Sequence, residues 1–267
     1  MASKKNYVSD ELTHFVGRSI KSQEERYALL LKILREGRLI CKEGTGLVID
    51  PFTKFTTNKM IRPDGVCFCD IPLRGLGIHM RKYSQFGLAF PKSFLLELGA
   101  NPVFYIANNS KLRLWTIAGK KAVFFTEDRA AFFDRQFSEF YDCMREVKFF
   151  LQVRRKNPLQ PDPLATRLER LELFLSSFFG YCKCFDASRA EDHEENFYME
   201  REWRLRSKLA FKIGDVCRVI LPRSFVQRFR RDFPGFTGKD ERVAAGITSI
   251  RRRQGCRAWV ASSCDYG

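Results

Sequence analysis

The chain has 267 residues, of which 45% are hydrophobic and 14% aromatic, and its formal net charge is +16. A sequence of this length and apolar content can bury a substantial core, which excludes a chain that is disordered throughout. The first residues are polar, and nowhere do about 18 apolar residues follow one another. We therefore expect a cytoplasmic protein with no membrane partner.

The first part of the chain predicts strands that alternate with short helices. Residues 12–16 predict a strand, and residues 22–36 predict an amphipathic helix with a capping Ser and a terminal Gly. Residues 41–64 show no period and predict a long loop. Further strands are predicted at 66–71, 86–90 and 102–107, with helical turns at 73–83 and 94–99.

The middle of the chain predicts helices. Aromatic and aliphatic residues recur at spacings of three and four over residues 128–153 and again over residues 164–180. A proline-rich segment at residues 157–163 separates the two runs. The pattern predicts a helical hairpin, inserted at about residues 128–180, whose apolar stripe packs into a core.

The last third of the chain returns to predicted strands, at 181–186, 197–205, 209–213 and 215–221. A short basic amphipathic helix is predicted after Pro222, and from residue 246 to 267 we expect a basic, loosely held tail. The mixture of elements predicts an α+β fold with a mixed or antiparallel split-sheet core. We expect one domain over residues 1–245, with the helical hairpin as an insertion.

Two carboxylates lie one residue apart in the predicted strand at 197–205, at Glu200 and Glu202. Side chains in a strand alternate, so both would point to the same side. Such a pair can stabilise positive charge that develops at a ribose carbon while it holds a hydroxyl or a nucleophile. The same pattern is typical of a solvated strand face with salt bridges to Arg201 and Arg204.

The chain contains nine cysteines, and two close pairs, Cys67/Cys69 and Cys182/Cys184, lie in apolar strand-like segments. In a reducing compartment such cysteines are small buried hydrophobes. A zinc site formed by four thiolates is the alternative, although paired zinc ligands are usually separated by two to four residues. We expect no metal.

Positive charge is concentrated in residues 201–257, which contain 16 basic and 5 acidic residues. A localised excess of this kind attracts polyanions, so we expect DNA or RNA as a partner. A solvated surface that keeps the chain soluble is the alternative. The candidate contact residues are Arg228, Arg230, Arg231, Arg251, Arg252 and Arg253.

Five motifs stand out along the chain, at residues 12–15, 66–73, 83–90, 101–106 and 197–204. Over most of the chain they resemble the motifs of the AbiGi family of abortive phage-resistance proteins. The resemblance implies a role in antiviral defence and a cognate toxin or antitoxin protein as a partner.

Three further features occur in order along the chain. They are a first strand that bears a His, a following helix that ends in Ile33-Leu34-Arg35-Glu36-Gly37, and the late Glu-x-Glu. In these features the chain is more distantly similar to DarT-like ADP-ribosyltransferases, which modify nucleic acid. The similarity implies a split-sheet transferase fold with NAD as substrate. The chain has no glycine-rich phosphate loop, and Cys67-Phe68-Cys69 stands where many transferases have a Ser-Thr-Ser strand.

Site roles follow from this second resemblance. It implies that His14, together with Thr13, binds the NAD ribose or adenosine and that Tyr83 contacts the nicotinamide ring. It also implies that Glu202 orients a ribose hydroxyl and that Glu200 positions the acceptor. An imidazole, a phenol and a carboxylate are then expected to line one pocket.

The sequence leaves different functions open. One is transfer of ADP-ribose from NAD to nucleic acid. Another is a non-catalytic antitoxin-like or nucleic-acid-binding module in which the two carboxylates are structural. A nuclease or NAD hydrolase that uses the same acidic pair is a third.

Overall fold

The computed structural model describes the chain in separate ranges. The described residues are 9–40, 65–107, 113–114, 123–124, 142–143, 146–147, 149–150, 163–190, 193, 196–244 and 246–252. The predicted loop at 41–64, most of the predicted helix at 128–153, and Arg253 lie outside them. The chain divides into a first unit of residues 1–42, 65–102 and 200–267, and a second unit of residues 43–64 and 103–199.

An eight-stranded open sheet forms the centre of the first unit. Its strands follow the order β13, β14, β12, β4, β1, β3, β10, β5, and every adjacent pair is antiparallel. They are β1 Glu11–Phe15, β3 Val66–Cys69, β4 Gly87–Pro91, β5 Asn101–Pro102, β10 Glu202–Leu205, β12 Arg218–Pro222, β13 Gly238–Ala244 and β14 Ile247–Arg252. A short pair, β2 Arg38–Leu39 and β11 Leu209–Ala210, is separate from this sheet.

Five helices have bounds that the structure describes, namely α1 Gln23–Glu36, α2 Gly77–Lys82, α3 Lys92–Glu97, α4 Pro163–Phe179 and α5 Val226–Asp232. Of these, α4 belongs to the second unit and the other four belong to the first. The mixture of helices with a mostly antiparallel sheet confirms the α+β class. None of the described helices is both long and apolar enough to cross a membrane.

One side of the large sheet, which we call the first face, carries the main hydrophobic core. The Ser22 side chain caps α1 by accepting the Glu25 N–H, and Gly37 ends the helix with a left-handed φ of 60°. The helix predicted at 22–36 is therefore confirmed. Helices α1, α3 and α5 cover this face with Tyr27, Leu30, Leu31, Leu34, Leu95, Val226 and Phe229.

The opposite side, the second face, is covered by a 3-10 turn at Leu73–Gly75 and by α2. Leu76 and Met80 pack there against Cys69. Residues opposite each other in an antiparallel ladder share a face. Because Cys69 pairs with both Thr13 and Glu202, these two residues also lie on the second face.

The second unit contains a parallel pair of strands and the longest described helix. β6 Phe104–Ala107 pairs with β9 Cys182–Phe185, and α4 precedes β9 in the chain. The predicted strand at 181–186 and the predicted helix at 164–180 are therefore confirmed. The strand predicted at 102–107 is wrong in part, since it is interrupted at Val103 and divided between β5 and β6. The core packing expected for the apolar stripe of the helix is also wrong in part, because Leu164, Leu171 and Phe178 are exposed. Two further short strands, β7 Arg113–Leu114 and β8 Val123–Phe124, pair with each other.

The strand predicted at 197–205 is wrong in its first half. Phe197–Glu200 form a 3-10 turn, and β10 begins only at Glu202. Between them Arg201 has a φ of 44°, and its carbonyl accepts the Asp70 N–H at 3.1 Å. A contact with a distant residue therefore bends the chain where the local pattern predicts an extended segment, so Glu200 and Glu202 are not neighbours on one strand.

The loosely held tail expected from residue 246 includes a buried strand. β14 pairs with β12 and β13, and its first four residues are buried. Two of these four, Thr248 and Ser249, are polar, so the apolar alternation that predicts a strand is weak here. The sequence pattern therefore did not predict this strand, because two of its buried residues are polar.

Candidate functional site

Glu200 is held by two residues that α2 brings over the second face. Its Oε1 accepts a hydrogen bond from Lys82 Nζ at 2.6 Å and another from the Tyr83 hydroxyl. Lys82 is the last residue of α2, and Tyr83 follows it. The Glu200 side chain is only 5% exposed, so the pair is a buried ion pair.

Glu202 begins β10 and is held from within its own strand. Its Oε1 accepts a hydrogen bond from Arg204 Nε at 2.6 Å, and the two side chains are 8% and 9% exposed. Because residues two apart on a strand share a face, Arg204 also lies on the second face. The alternative prediction from the sequence, a salt bridge between Glu202 and Arg204, is therefore confirmed. The predicted exposure of this pair to solvent is wrong, because both side chains are buried.

Tyr83 joins the two carboxylates into one cluster. Its ring stacks on Phe15 with 5.9 Å between centroids, and the Arg18 guanidinium lies 4.8 Å from its ring centroid. Burial raises the pKa of the Tyr83 hydroxyl, the charges of Glu200 and Glu202 raise it further, and Arg18 opposes them. The hydroxyl therefore stays protonated and donates a hydrogen bond to Glu200.

A third buried carboxylate, Asp70, follows β3. It accepts hydrogen bonds from Lys92 Nζ at 2.8 Å and from the Ser9 N–H at 3.0 Å, and the Arg201 guanidinium is 3.7 Å away. Burial raises the pKa of the Cys69 thiol, and the charges of Glu200 and Asp70 raise it further. Cys69 is therefore a neutral thiol and not a nucleophilic thiolate.

His14 lies apart from this cluster. Its neighbours in β1, Thr13 and Phe15, are on the second face, so the alternation of the strand places His14 on the first face. There its Nδ1 donates to the Cys67 carbonyl at 2.8 Å, and its ring meets the edge of Phe68. Burial lowers the pKa of His14, and the imidazole does not share a pocket with the carboxylates.

The geometry brings together some of the candidate residues and separates others. Thr13, Tyr83, Glu200 and Glu202 lie on the second face, whereas His14 does not. The sequence interpretation missed Lys82, although this residue directly precedes a candidate and carries the charge that a buried carboxylate needs. Within the described part of the chain, no group of three or more His, Cys, Asp or Glu side chains is placed to hold a metal ion.

The arginine candidates on α5 are mostly engaged within the first unit. Arg228 Nη1 donates to Glu24 at 2.5 Å, and Arg230 Nη2 donates to Asp240 at 2.8 Å. Arg231 is exposed. Since α5 covers the first face, these arginines lie on that side of the sheet.

The described arginine candidates on β14 lie on opposite sides of the sheet. Arg251 is opposite Arg218 in the ladder and on the second face, whereas the next residue, Arg252, is on the first face. Arg252 Nη1 donates to the Ile213 carbonyl at 3.1 Å. The arginine candidates therefore do not all lie on one side of the sheet. Nucleic-acid binding by these residues stays a prediction.

Comparison with known proteins gives one match. A family model described as "Putative abortive phage resistance protein AbiGi, antitoxin" matches residues 39–231. The matched range covers β2 to α5, and so it includes Tyr83 and both carboxylates. Searches of curated proteins and of solved structures found no match.

Proposed function

This chain belongs to the AbiGi family of abortive phage-resistance proteins, and on that premise we propose that it is a non-catalytic antitoxin, which binds and neutralises a cognate toxin protein. The observation that carries the proposal is the state of the two candidate catalytic carboxylates. Glu200 is buried against Lys82 and Tyr83, and Glu202 is buried against Arg204.

A structural role explains this arrangement better than catalysis. Burying a carboxylate is unfavourable unless a cation and further hydrogen bonds compensate its charge, and both glutamates have such partners. A carboxylate that stabilises an oxocarbenium ion must instead lie against the sugar, with its charge directed at the reacting carbon. To reach a ribose, Glu202 would have to give up the hydrogen bond that it accepts from Arg204 inside the fold.

The second unit offers a surface for the toxin. Four large apolar side chains of α4 are exposed, and Phe174 is 65% exposed. Spacings of seven, three and four place them on one side of the helix, which is the pattern of a helix that docks into an apolar groove. The four residues are Leu164, Leu171, Phe174 and Phe178. We assign this α4 stripe as the contact for the toxin.

Growth of cells tests the antitoxin role. The cognate toxin is sought as the neighbouring gene that arrests growth when it is induced alone. This chain, induced alone, is expected to leave growth unchanged and to restore it when induced with the toxin. Growth arrest caused by this chain alone, or a failure to rescue any neighbouring gene product, would contradict the proposal.

The α4 stripe is tested by charge insertion. Phe174→Glu is expected to abolish rescue and co-purification of the toxin, because an ionised carboxylate cannot enter an apolar contact without a partner. Arg231→Glu, at an exposed position on α5 and outside the stripe, is the control and should retain rescue. Equal loss in both variants would remove the stripe from the contact.

A second candidate function is ADP-ribosyl transfer from NAD to nucleic acid by a split-sheet transferase fold. The observation that favours it is that Tyr83, Glu200, Glu202 and Thr13 share the second face. It requires NAD binding to displace Lys82 or Arg204 from its carboxylate. This candidate predicts growth arrest by the chain alone, and loss of that arrest in Glu202→Gln.

We also propose that this chain attracts nucleic acid through its net positive charge. The net charge of +16 favours polyanions at low salt. Because Arg228 and Arg230 are ion-paired, Arg231 is the α5 arginine best placed for a phosphate contact. The affinity for duplex DNA should fall steeply as salt is raised, and the Arg230→Ala/Arg231→Ala variant should show a shallower slope. An unchanged slope would exclude both.

A further inference from the structure

Two arginines lie on the same side of α4 as its exposed apolar stripe. Residues three and four apart are neighbours on a helix surface. Arg167 follows Leu164 by three residues and precedes Leu171 by four, so it lies within the α4 stripe. Arg170 lies one turn before Phe174, at the edge of the stripe, and both arginines are exposed. This side of α4 is therefore apolar and basic at once.

Neither arginine is neutralised within the described part of the chain. Arg167 and Arg170 form no hydrogen bond or ion pair with any residue that the structure describes. The positions three and four residues away from each of them hold no acidic residue, and the two arginines are themselves three residues apart. Like charges at that spacing disfavour a helix, so the pair does not help α4 to fold. Both charges are available to another molecule.

The apolar surface continues from α4 onto the neighbouring strand. Phe104 in β6 is 57% exposed, and its ring centroid is 5.4 Å from that of Phe178, the last residue of the α4 stripe. From Leu164 to Phe178 the stripe runs for about four turns, or about 21 Å at the α-helical rise. An exposed apolar surface of this length fits a helix of similar length from a partner.

Arg167 determines the chemistry that this partner needs. A helix that packs on Leu171 and Phe174 also covers Arg167 and takes its guanidinium out of water. Removing a charge from water is unfavourable unless an opposite charge and hydrogen bonds compensate it. A carboxylate provides both, because it accepts two parallel N–H bonds from a guanidinium. The partner helix therefore needs acidic residues beside its apolar ones.

A membrane surface and a second copy of this chain fit the α4 stripe less well. Helices that lie in a membrane surface carry their cations on the polar side, away from the acyl chains, whereas Arg167 lies among apolar residues. A second copy that placed its own stripe on this one would bring four arginines into one interface, where like charges disfavour association.

We propose that the α4 stripe binds an amphipathic helix of about four turns, whose apolar side chains contact the stripe and whose carboxylates pair with Arg167 and Arg170. The identity of the partner rests on the antitoxin role, since the acidic helix is assigned to the toxin. The charge requirement adds specificity to an apolar contact, because a toxin helix without carboxylates would leave both guanidinium groups covered and unpaired.

Two synthetic peptides test the charge requirement on the full chain. Both have about four turns, are cross-linked to hold the helix, and carry the same leucines at spacings of three and four. The residues beside the leucines are glutamate in one peptide and lysine in the other. Fluorescence anisotropy should show saturable binding of the glutamate peptide and at least tenfold weaker binding of the lysine peptide. Equal binding of the two peptides, or binding of neither, overturns the proposal.

A change of charge on the chain locates the binding. Arg167→Glu should weaken binding of the glutamate peptide at least tenfold and strengthen binding of the lysine peptide. Arg35→Glu, which makes the same change at an exposed position on α1, should leave both affinities unchanged. Equal effects of the two variants would assign the preference to net charge and contradict the proposal. Binding to phosphatidylserine vesicles that is lost in Arg167→Glu, without binding of the glutamate peptide, would overturn it in favour of a membrane surface.

The growth assay separates failure of this inference from failure of the antitoxin role. If the chain rescues a toxin and Arg167→Glu/Arg170→Glu rescues it equally well, the antitoxin role stands and the charge requirement is wrong. If the chain prefers the glutamate peptide but rescues no neighbouring gene product, the acidic helix is supported and its assignment to a toxin is wrong.

Discussion

Lys82 and Glu200 are 118 residues apart in the chain and form a buried ion pair, with 2.6 Å between Nζ and Oε1. The pair joins the end of α2 to the turn that precedes β10. The pair therefore fixes α2 onto the second face of the sheet. The Tyr83 hydroxyl donates a hydrogen bond to the same Glu200 oxygen.

The Glu200→Gln variant should be strongly destabilised, because it removes the negative charge that Glu200 contributes to a buried ion pair with Lys82. Removing one partner of a buried pair costs about 3–5 kcal/mol in the free energy of unfolding. Urea denaturation measures the loss. Glu24→Gln, which removes the exposed partner of Arg228, is the matched control and should keep the wild-type midpoint. Similar midpoints for both variants would contradict a structural role of Glu200.

The Tyr83→Phe variant should lose the hydrogen bond to Glu200, at a cost of about 1.5–3 kcal/mol for a bond to a charged acceptor. It should also change the alkaline limit of stability. The pKa of Tyr83 is raised in the folded chain, so above pH 10 the unfolded chain loses the proton first and stability falls. Denaturation between pH 8 and 11 should show a smaller fall in the variant. An identical loss of stability in the wild type and the variant would show that ionisable groups other than Tyr83 cause it.

His14 should make the protein less stable in acid. Burial lowers its folded pKa below the ordinary value of 6.5, so the unfolded chain binds more protons as the pH falls below 6.5. Stability is then present above that pH and is lost beneath it. His14→Gln should flatten this part of the profile of unfolding free energy against pH. A slope equal to that of the wild type would show that the imidazole does not contribute.

Arg201 should tolerate only residues that accept a left-handed backbone. Its φ is 44°, a conformation that costs an L-residue roughly 1–2 kcal/mol and a β-branched residue more. Arg201→Gly relieves this strain while it loses the contact with Asp70, so its stability should stay near that of the wild type. Arg201→Val loses the contact and increases the strain, and its thermal midpoint should fall clearly below that of Arg201→Gly.

Patterns among neighbouring residues were sufficient to predict much of the fold. Ser22, the apolar period and Gly37 predicted α1 to within a residue, because a cap and a stop are properties of neighbouring residues. The pairing of Glu202 with Arg204 was also accessible, since both lie in one strand. The α+β class followed from the alternation of the two periods along the chain.

The features that the sequence did not predict depend on contacts between residues that are far apart in the chain. The bend at Arg201 depends on a hydrogen bond from Asp70, and the partner of Glu200 depends on where α2 lies over the sheet. The face occupied by His14 depends on the register of β1 with β3, which no local pattern specifies. The sequence could therefore name candidate residues, but it could not predict which of them lie close together in the fold.

We infer that Glu200 and Glu202 stabilise the fold and do not act on NAD. The most direct measurement incubates the purified chain with labelled NAD and mixed DNA and RNA, and follows both NAD consumption and transfer of label. We expect neither to exceed the level without protein. Transfer of label that disappears in Glu202→Gln, while the thermal midpoint of that variant stays within a few degrees of the wild type, would contradict the claim.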